Sequence, residues 1–283
     1  MPRAVHIRGV SRAPGVWAVA ALLALIYLPT AAWLVERWSL GVWWHLHGFV
    51  VFPVALLLAW RRLRALPEAP PSSSALGFLF LAPAVLLQVL DAALGFQLLS
   101  AVSLVVALPG LSLLFLGRER TKAIWFPLFF LVFAIPIPLF VARRIHLVLR
   151  HIAAVGTEEV LAWMGYDVYR NGTQLQVGPE GIEIADACSG FSTLTALFMV
   201  GMLLAFLART RWWRGALVVL WTFPAAVAAN LVRCVILAML VVAFGAGILE
   251  TLVHPVSGVL TFLAAFGLLM LLDRLVLKRR RPC

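Results

Sequence analysis

Charged residues are scarce in this sequence. Asp, Glu, Lys and Arg make up only 12% of its 283 residues, whereas 63% are hydrophobic and the mean hydropathy is +1.01. Soluble domains carry about twice that share of charge. The composition therefore excludes a water-soluble fold and indicates a protein of the lipid bilayer.

Cysteine is also rare, and its three positions have no metal-site spacing. An odd number of cysteines, at Cys188, Cys234 and Cys283, favours neither a disulfide framework nor a zinc cluster. No other pattern calls for a metal ion or an organic cofactor, so we predict that the protein uses neither.

Long apolar runs, in contrast, are abundant. A spanning helix needs about 20 mostly apolar residues, and the chain offers enough for about eight, which predicts an all-α polytopic membrane protein. We expect helices at residues 16–35, 41–60, 75–94, 97–117, 123–142, 187–208 and 215–245, and from 252 to just before the basic residues 278–281. The first run is long and lacks a clear cleavage site, so we expect a retained helix rather than a signal peptide. All residues are assigned to one integral membrane domain, with four N-terminal helices in 1–118 and a core in 119–283.

The net charge of +11 follows the expected topology. With a cytoplasmic N-terminus and eight helices, most Lys and Arg residues lie in cytoplasmic segments, as the positive-inside rule requires. They form short runs within residues 3–12, 61–64, 118–122, 209–214 and 274–281. The topology thus explains the excess of positive charge without a nucleic acid partner. Both termini are predicted to lie in the cytoplasm.

Residues 143–187 are expected to form an outer segment. The stretch 143–165 mixes arginines, histidines and glutamates with apolar residues, which favours an amphipathic helix lying on the membrane surface. The turn signals NG and GPEG, with the alternation in TQLQV and GIEIA, then predict a short β-hairpin. The prolines of AIPIP, at 134–138, should stop or kink the helix before this segment.

Three later helices bring a cysteine, an arginine and a histidine to the same leaflet. Cys188 is expected in the first turn of the helix 187–208, His254 in the first turn of the last helix, and Arg233 near the outer interface. A helix N-terminus and a cation favour a thiolate, histidine suits general acid and base work near neutral pH, and arginine donors stabilise an oxyanion. These are the parts of a cysteine acyl-transfer site.

Simpler interpretations stand beside this one. A membrane cysteine is more often a packing residue, and we expect that of Cys234, while interfacial arginine and histidine side chains can simply bind headgroups or helix ends. Asp186 is placed to cap the helix after it. His45 and His47, two residues apart, make a poor metal pair, and Asp91 is expected at a solvated helix end.

The motifs ACSGF (187–191), NLVRCVIL (230–237) and HPVSGVLTF (254–262), in this order, resemble the exosortase/archaeosortase family of membrane proteins. FAIPIP (133–138) is similar to the region before the outer loop of that family, and the resemblance covers about residues 120–270. Phe191 to Thr193 replace a Leu-Arg-Ser that often follows the CSG triplet, so the subfamily is left open.

The resemblance places the catalytic roles on Cys188 as nucleophile, Arg233 as oxyanion stabiliser and His254 as general acid and base. Asn230, Ser189 and Gly190 belong to the same motifs and, with Asp186, are expected to support the site.

The family resemblance implies a cysteine peptidase or transpeptidase at the outer face of a prokaryotic cytoplasmic membrane. Its expected partners are membrane lipid, an unidentified acceptor nucleophile, and secreted proteins whose C-terminal tail has a short Pro-Glu-Pro-like motif, a hydrophobic helix and a basic end. Two alternatives stay open. One is a transporter or scaffold of envelope polysaccharide export with Asp91 and Arg233 as polar groups, and the other is a membrane acyltransferase using the same thiol.

Overall fold

A computed structural model describes residues 14–40, 47–67, 72–184, 188–208 and 211–276. The described chain is mostly helical and forms two compact units, Met1–Pro136 and Ile137–Cys283. The prediction of an all-α polytopic membrane protein is confirmed.

The first unit is a set of helices around a hairpin. Its elements are α1 (Pro14–Ser39), α2 (His47–Arg64), α3 (Gly77–Leu94), α4 (Leu98–Ala123), α5 (Trp125–Phe130) and a 3₁₀ helix (Leu131–Ala134). Gly95 ends α3 with a left-handed φ of 71°, which lets the chain reverse into α4. Polar side chains join α1 to α4, since the Tyr27 hydroxyl lies 2.7 Å from the Ser103 hydroxyl and Thr30 hydrogen-bonds Ser100.

The AIPIP prolines interrupt the helix expected at 123–142. Beyond the short helix α5, Ile135 is extended (φ −76°, ψ 124°), and a new helix begins only after Pro138. Proline lacks the backbone N–H that a continuing helix needs, so the prolines stop the helix as the sequence indicates.

The second unit contains four helices and a small sheet. Its elements are α6 (Leu139–Trp163), β1 (Val168–Asn171), β2 (Gln174–Val177), β3 (Glu180–Glu183), α7 (Phe191–Leu207), α8 (Trp212–Phe244), a 3₁₀ helix (Ala246–Glu250) and α9 (Val253–Val276). The long helix α8 packs against α6, α7 and α9. It runs unbroken through Pro224 for 33 residues, or about 50 Å.

The sheet is an antiparallel meander in the order β1-β2-β3, one strand more than the predicted hairpin. Gly172 turns the chain between β1 and β2 with a φ of 64°. The predicted alternation is present, because Leu175 and Val177 are buried while Gln174 and Gln176 are exposed. The buried face packs on α6 and α8 through a core that includes Leu175, Val177, Ile182, Ala153, Leu161, Val235 and Val241.

Five of the described helices are long and apolar enough to cross a bilayer, namely α1, α3, α4, α8 and α9. A sixth span results if α5, its 3₁₀ helix and α6 count as one broken span. The sequence predicted about eight. The difference lies partly in α2, whose 18 residues include Arg61, Arg62 and Arg64, and in α7, which has only 17 residues.

Candidate active site

Cys188 lies in a turn between the sheet and α7. The sequence predicted it in the first helical turn, but α7 begins only at Phe191, after Gly190 with a left-handed φ of 76°. An L-residue rarely adopts that conformation, so Gly190 ends the turn and delays the helix. Asp186, the predicted cap, lies outside the described residues.

Asn230 of α8 fixes the backbone of this turn. Its Nδ2 donates a hydrogen bond of 2.9 Å to the carbonyl oxygen of Cys188, and its side chain is buried with 3% exposure. Gly190 packs so close that a Cβ there would lie 2.7 Å from Asn230 Cγ. The Asn230 Oδ1 atom is buried and has no hydrogen-bond partner among the described residues.

Ser189 fixes the other side of the same turn. Its hydroxyl accepts the backbone N–H of Phe191 at 3.3 Å and lies 2.8 Å from Nδ1 of His146 in α6. The His146 ring also packs on the Phe191 ring, with centroids 4.8 Å apart. Sequence reasoning missed His146. The one available signal was its position four residues after Ala142 and three before Leu149, on the buried face of α6.

His254 approaches the thiol from α9. It lies in the first turn, as predicted, and its Nδ1 is 3.9 Å from Cys188 Sγ. Thr251 supports the start of this helix, because its hydroxyl accepts the Val253 N–H at 3.2 Å. The imidazole is half-buried, so it reaches the thiol while keeping access to the surroundings.

Arg233 holds the first turn of α9. Its side chain is only 7% exposed; Nε donates to the Ser257 hydroxyl at 2.9 Å, and an Nη atom donates to the His254 carbonyl at 3.2 Å. Ser257 in turn donates to the same carbonyl at 2.7 Å. The guanidinium therefore fixes the backbone that carries the imidazole.

The environment of Cys188 differs from the one that the sequence indicated. Burial raises the pKa of the Cys188 thiol, and the positive charge of Arg233 lowers it but does not cancel that effect. A raised pKa means that the thiol is protonated at neutral pH. Such a thiol reacts as a nucleophile only when a base accepts its proton, and the His254 imidazole lies 3.9 Å from the sulfur.

Cys234 packs in the hydrophobic core, yet it touches the same turn. Its Sγ lies 3.6 Å from the Cys188 carbonyl oxygen and 3.8 Å from Asn230 Nδ2. Both thiols are free. Cys283 lies outside the described residues.

The remaining polar candidates lie elsewhere. Asp91 belongs to the first unit and is buried rather than solvated; its carboxylate accepts the N–H groups of Gln97 and Leu99, each at 3.1 Å. These bonds give it a structural role at the turn between α3 and α4. His45 lies outside the described residues, and the part of the chain that the structure describes has no cluster of three or more metal-ligating side chains.

A family model described as transmembrane exosortase (Exosortase_EpsH) matches residues 43–271. The match spans most of the chain and includes every residue of the candidate site. No curated protein and no solved structure matches the sequence.

Proposed function

The chain belongs to the transmembrane exosortase family, and from this premise we propose that it is a membrane-embedded cysteine peptidase and transpeptidase. The contact that carries the proposal is the 3.9 Å separation of Cys188 Sγ and His254 Nδ1. Its substrates are secreted proteins with a C-terminal sorting tail of a Pro-Glu-Pro-like motif, a hydrophobic helix and a basic end. The reaction takes place at the outer face of a prokaryotic cytoplasmic membrane, with both termini of the enzyme in the cytoplasm.

In the first step, His254 accepts the thiol proton as Cys188 Sγ attacks the carbonyl carbon of the scissile peptide bond. A C–S bond forms, and the carbonyl π electrons move to oxygen. The imidazolium then protonates the peptide nitrogen, the C–N bond breaks, and the tail leaves as an amine. A thioester on Cys188 is the product of this step.

In the second step, an acceptor amine or water attacks the thioester carbonyl. His254 accepts the proton of the attacking group, the C–S bond breaks, and the proton returns to the Cys188 sulfur. An amine acceptor gives a transferred protein, and water gives simple hydrolysis. His254 accepts the thiol proton in the first step and the proton of the attacking group in the second, so both steps depend on the same imidazole.

Arg233 has two roles in this proposal. Its bonds to Ser257 and to the His254 carbonyl support the imidazole from behind. Its positive charge acts on the Cys188 sulfur, where it favours the anionic form, and in the proposed reaction the same charge stabilises the developing oxyanion.

A processing assay tests the function. The protein is expressed with a tailed candidate substrate from the same genome, and substrate size is followed with wild type and Cys188→Ala. Cys234→Ala is the matched control, since it removes a second thiol close to the same turn. We expect processing to be lost only in Cys188→Ala, with a hydroxylamine-sensitive adduct on wild type. Processing that continues without the Cys188 thiol contradicts the proposal.

A further inference from the structure

The buried face of α6 carries one histidine. His146 lies with Ala142, Leu149 and Ala153 on that face, and its own exposure is only 6%. A polar ring in such surroundings costs free energy unless it is hydrogen-bonded. Its partner at Nδ1 is the hydroxyl of Ser189, the residue directly after the proposed nucleophile.

The hydroxyl of Ser189 makes two contacts in this turn. A serine hydroxyl has one hydrogen and two acceptor lone pairs. Its oxygen accepts the N–H of Phe191, and both its second lone pair and its own hydrogen are available for the contact with His146 Nδ1. The contact forms with either neutral tautomer of His146, and it fixes the rotamer of Ser189.

Two helices therefore hold adjacent residues of one turn. His146 of α6 holds the Ser189 side chain, and Asn230 of α8 holds the Cys188 carbonyl. The peptide unit between Cys188 and Ser189 is fixed from both sides. The thiol of the same turn lies 3.9 Å from Nδ1 of His254, which comes from a third helix.

We propose that His146 is a positioning residue for the thiol reaction: through Ser189, it keeps Cys188 Sγ within reach of the His254 imidazole. The inference rests on the proposed function for the reaction, but the contact itself can be tested without a substrate. His146 acts through Ser189 and does not touch the reacting atoms, so it is a positioning residue and not a catalytic one.

Two substitutions separate the hydrogen bond from ring packing. His146→Phe keeps an aromatic ring beside Phe191 and removes the bond to Ser189. His146→Asn loses the ring but keeps a hydrogen-bonding atom close to the position of Nδ1. His151→Phe is the matched control, because His151 is an exposed histidine on the same helix.

In the processing assay on full-length protein, we expect His146→Phe to lower kcat about ten-fold, the loss typical of one hydrogen bond, and to leave KM unchanged. His146→Asn is expected to recover most of that loss. Ser189→Ala removes this bond and also the acceptor of the Phe191 N–H, so it should lower kcat at least as much. The double variant His146→Phe/Ser189→Ala should be no slower than Ser189→Ala alone, because the bond between the two residues is already lost in the single variant. A lower yield of folded protein with unchanged kcat per folded molecule overturns the proposal.

Alkylation of Cys188 tests the inference separately from the function. The rate is measured with iodoacetamide and resolved by mass spectrometry of the Cys188 peptide, so that other thiols do not interfere. We expect His254→Ala to slow alkylation several-fold in the wild-type background and to have no effect in the His146→Phe background. The same effect of His254→Ala in both backgrounds, including no effect in either, overturns the inference. Failure of wild type to process any tailed substrate, with the expected alkylation result, contradicts the proposed function and leaves the positioning role standing.

Discussion

Gly190 provides a strict test of the turn that carries Cys188, the proposed nucleophile. Its φ of 76° is left-handed, and a Cβ on it would lie 2.7 Å, 2.9 Å and 3.0 Å from Cγ, Cβ and Oδ1 of Asn230. In Gly190→Ala, the left-handed conformation alone costs about 1–2 kcal/mol. Displacing the tightly packed Asn230 adds about 1–3 kcal/mol, so we expect about 2–5 kcal/mol of destabilisation in total.

Gly172→Ala is the matched control for this variant. Gly172 has a similar φ of 64°, but no atom lies within 4 Å of a Cβ built there. Gly172→Ala therefore has the free-energy cost of the left-handed conformation but no collision like that with Asn230. The difference between the two variants measures the close packing of Gly190 against Asn230.

The assays are thermal unfolding of the purified protein and substrate processing by the folded fraction. We expect the unfolding midpoint of Gly190→Ala to fall about 2–5 °C below that of Gly172→Ala. Where the turn shifts instead of unfolding, Cys188 moves away from His254, and a displacement of about 1 Å costs about 100-fold in rate. Equal midpoints and equal processing in the two variants would refute the reasoning.

Two further predictions concern arginine side chains. Removing the cation in Arg233→Gln should raise the pKa of the Cys188 thiol further, because Arg233 favours the thiolate; the pH profile of Cys188 alkylation then moves to higher pH, and an unchanged profile contradicts this. Arg150→Ala removes hydrogen bonds to Thr173 and to the Ile184 carbonyl, so we expect about 1–3 kcal/mol lower stability in denaturant unfolding. The exposed Arg144→Ala is its control, and equal losses in the two variants count against this reasoning.

Much of the fold follows from local sequence patterns. The length of the apolar runs predicts the helices, and the AIPIP prolines predict the break before α6. The alternation of polar and apolar residues predicts the strands. The number of spans is less predictable, because α2 and α7 lie at the limits of length and charge for a spanning helix. These are short-range properties, so the chain displays them without tertiary information.

The site was predictable only in part. The structure brings Cys188, Arg233 and His254 together, as their expected placement at one leaflet suggests. The contact between His146 and Ser189 joins residues 43 positions apart, and no local pattern encodes it. The left-handed Gly190 was also missed, because it looks like an ordinary helical glycine until Asn230 packs against it.

The spacing of two residues on α8 has a consequence for substrate access. Asn230 and Arg233 bind the backbone carbonyls of Cys188 and His254, respectively, and they are separated by three residues of one helix, a rise of about 4.5 Å. The spacing of these two residues on α8 thus sets the distance between the Cys188 thiol and the His254 imidazole. Spreading the far ends of α7 and α9 would leave this gap nearly unchanged, because both carbonyls stay bound to the same turn of α8. In the proposed reaction, a hydrophobic tail that enters between these helices would therefore leave Cys188 and His254 close together.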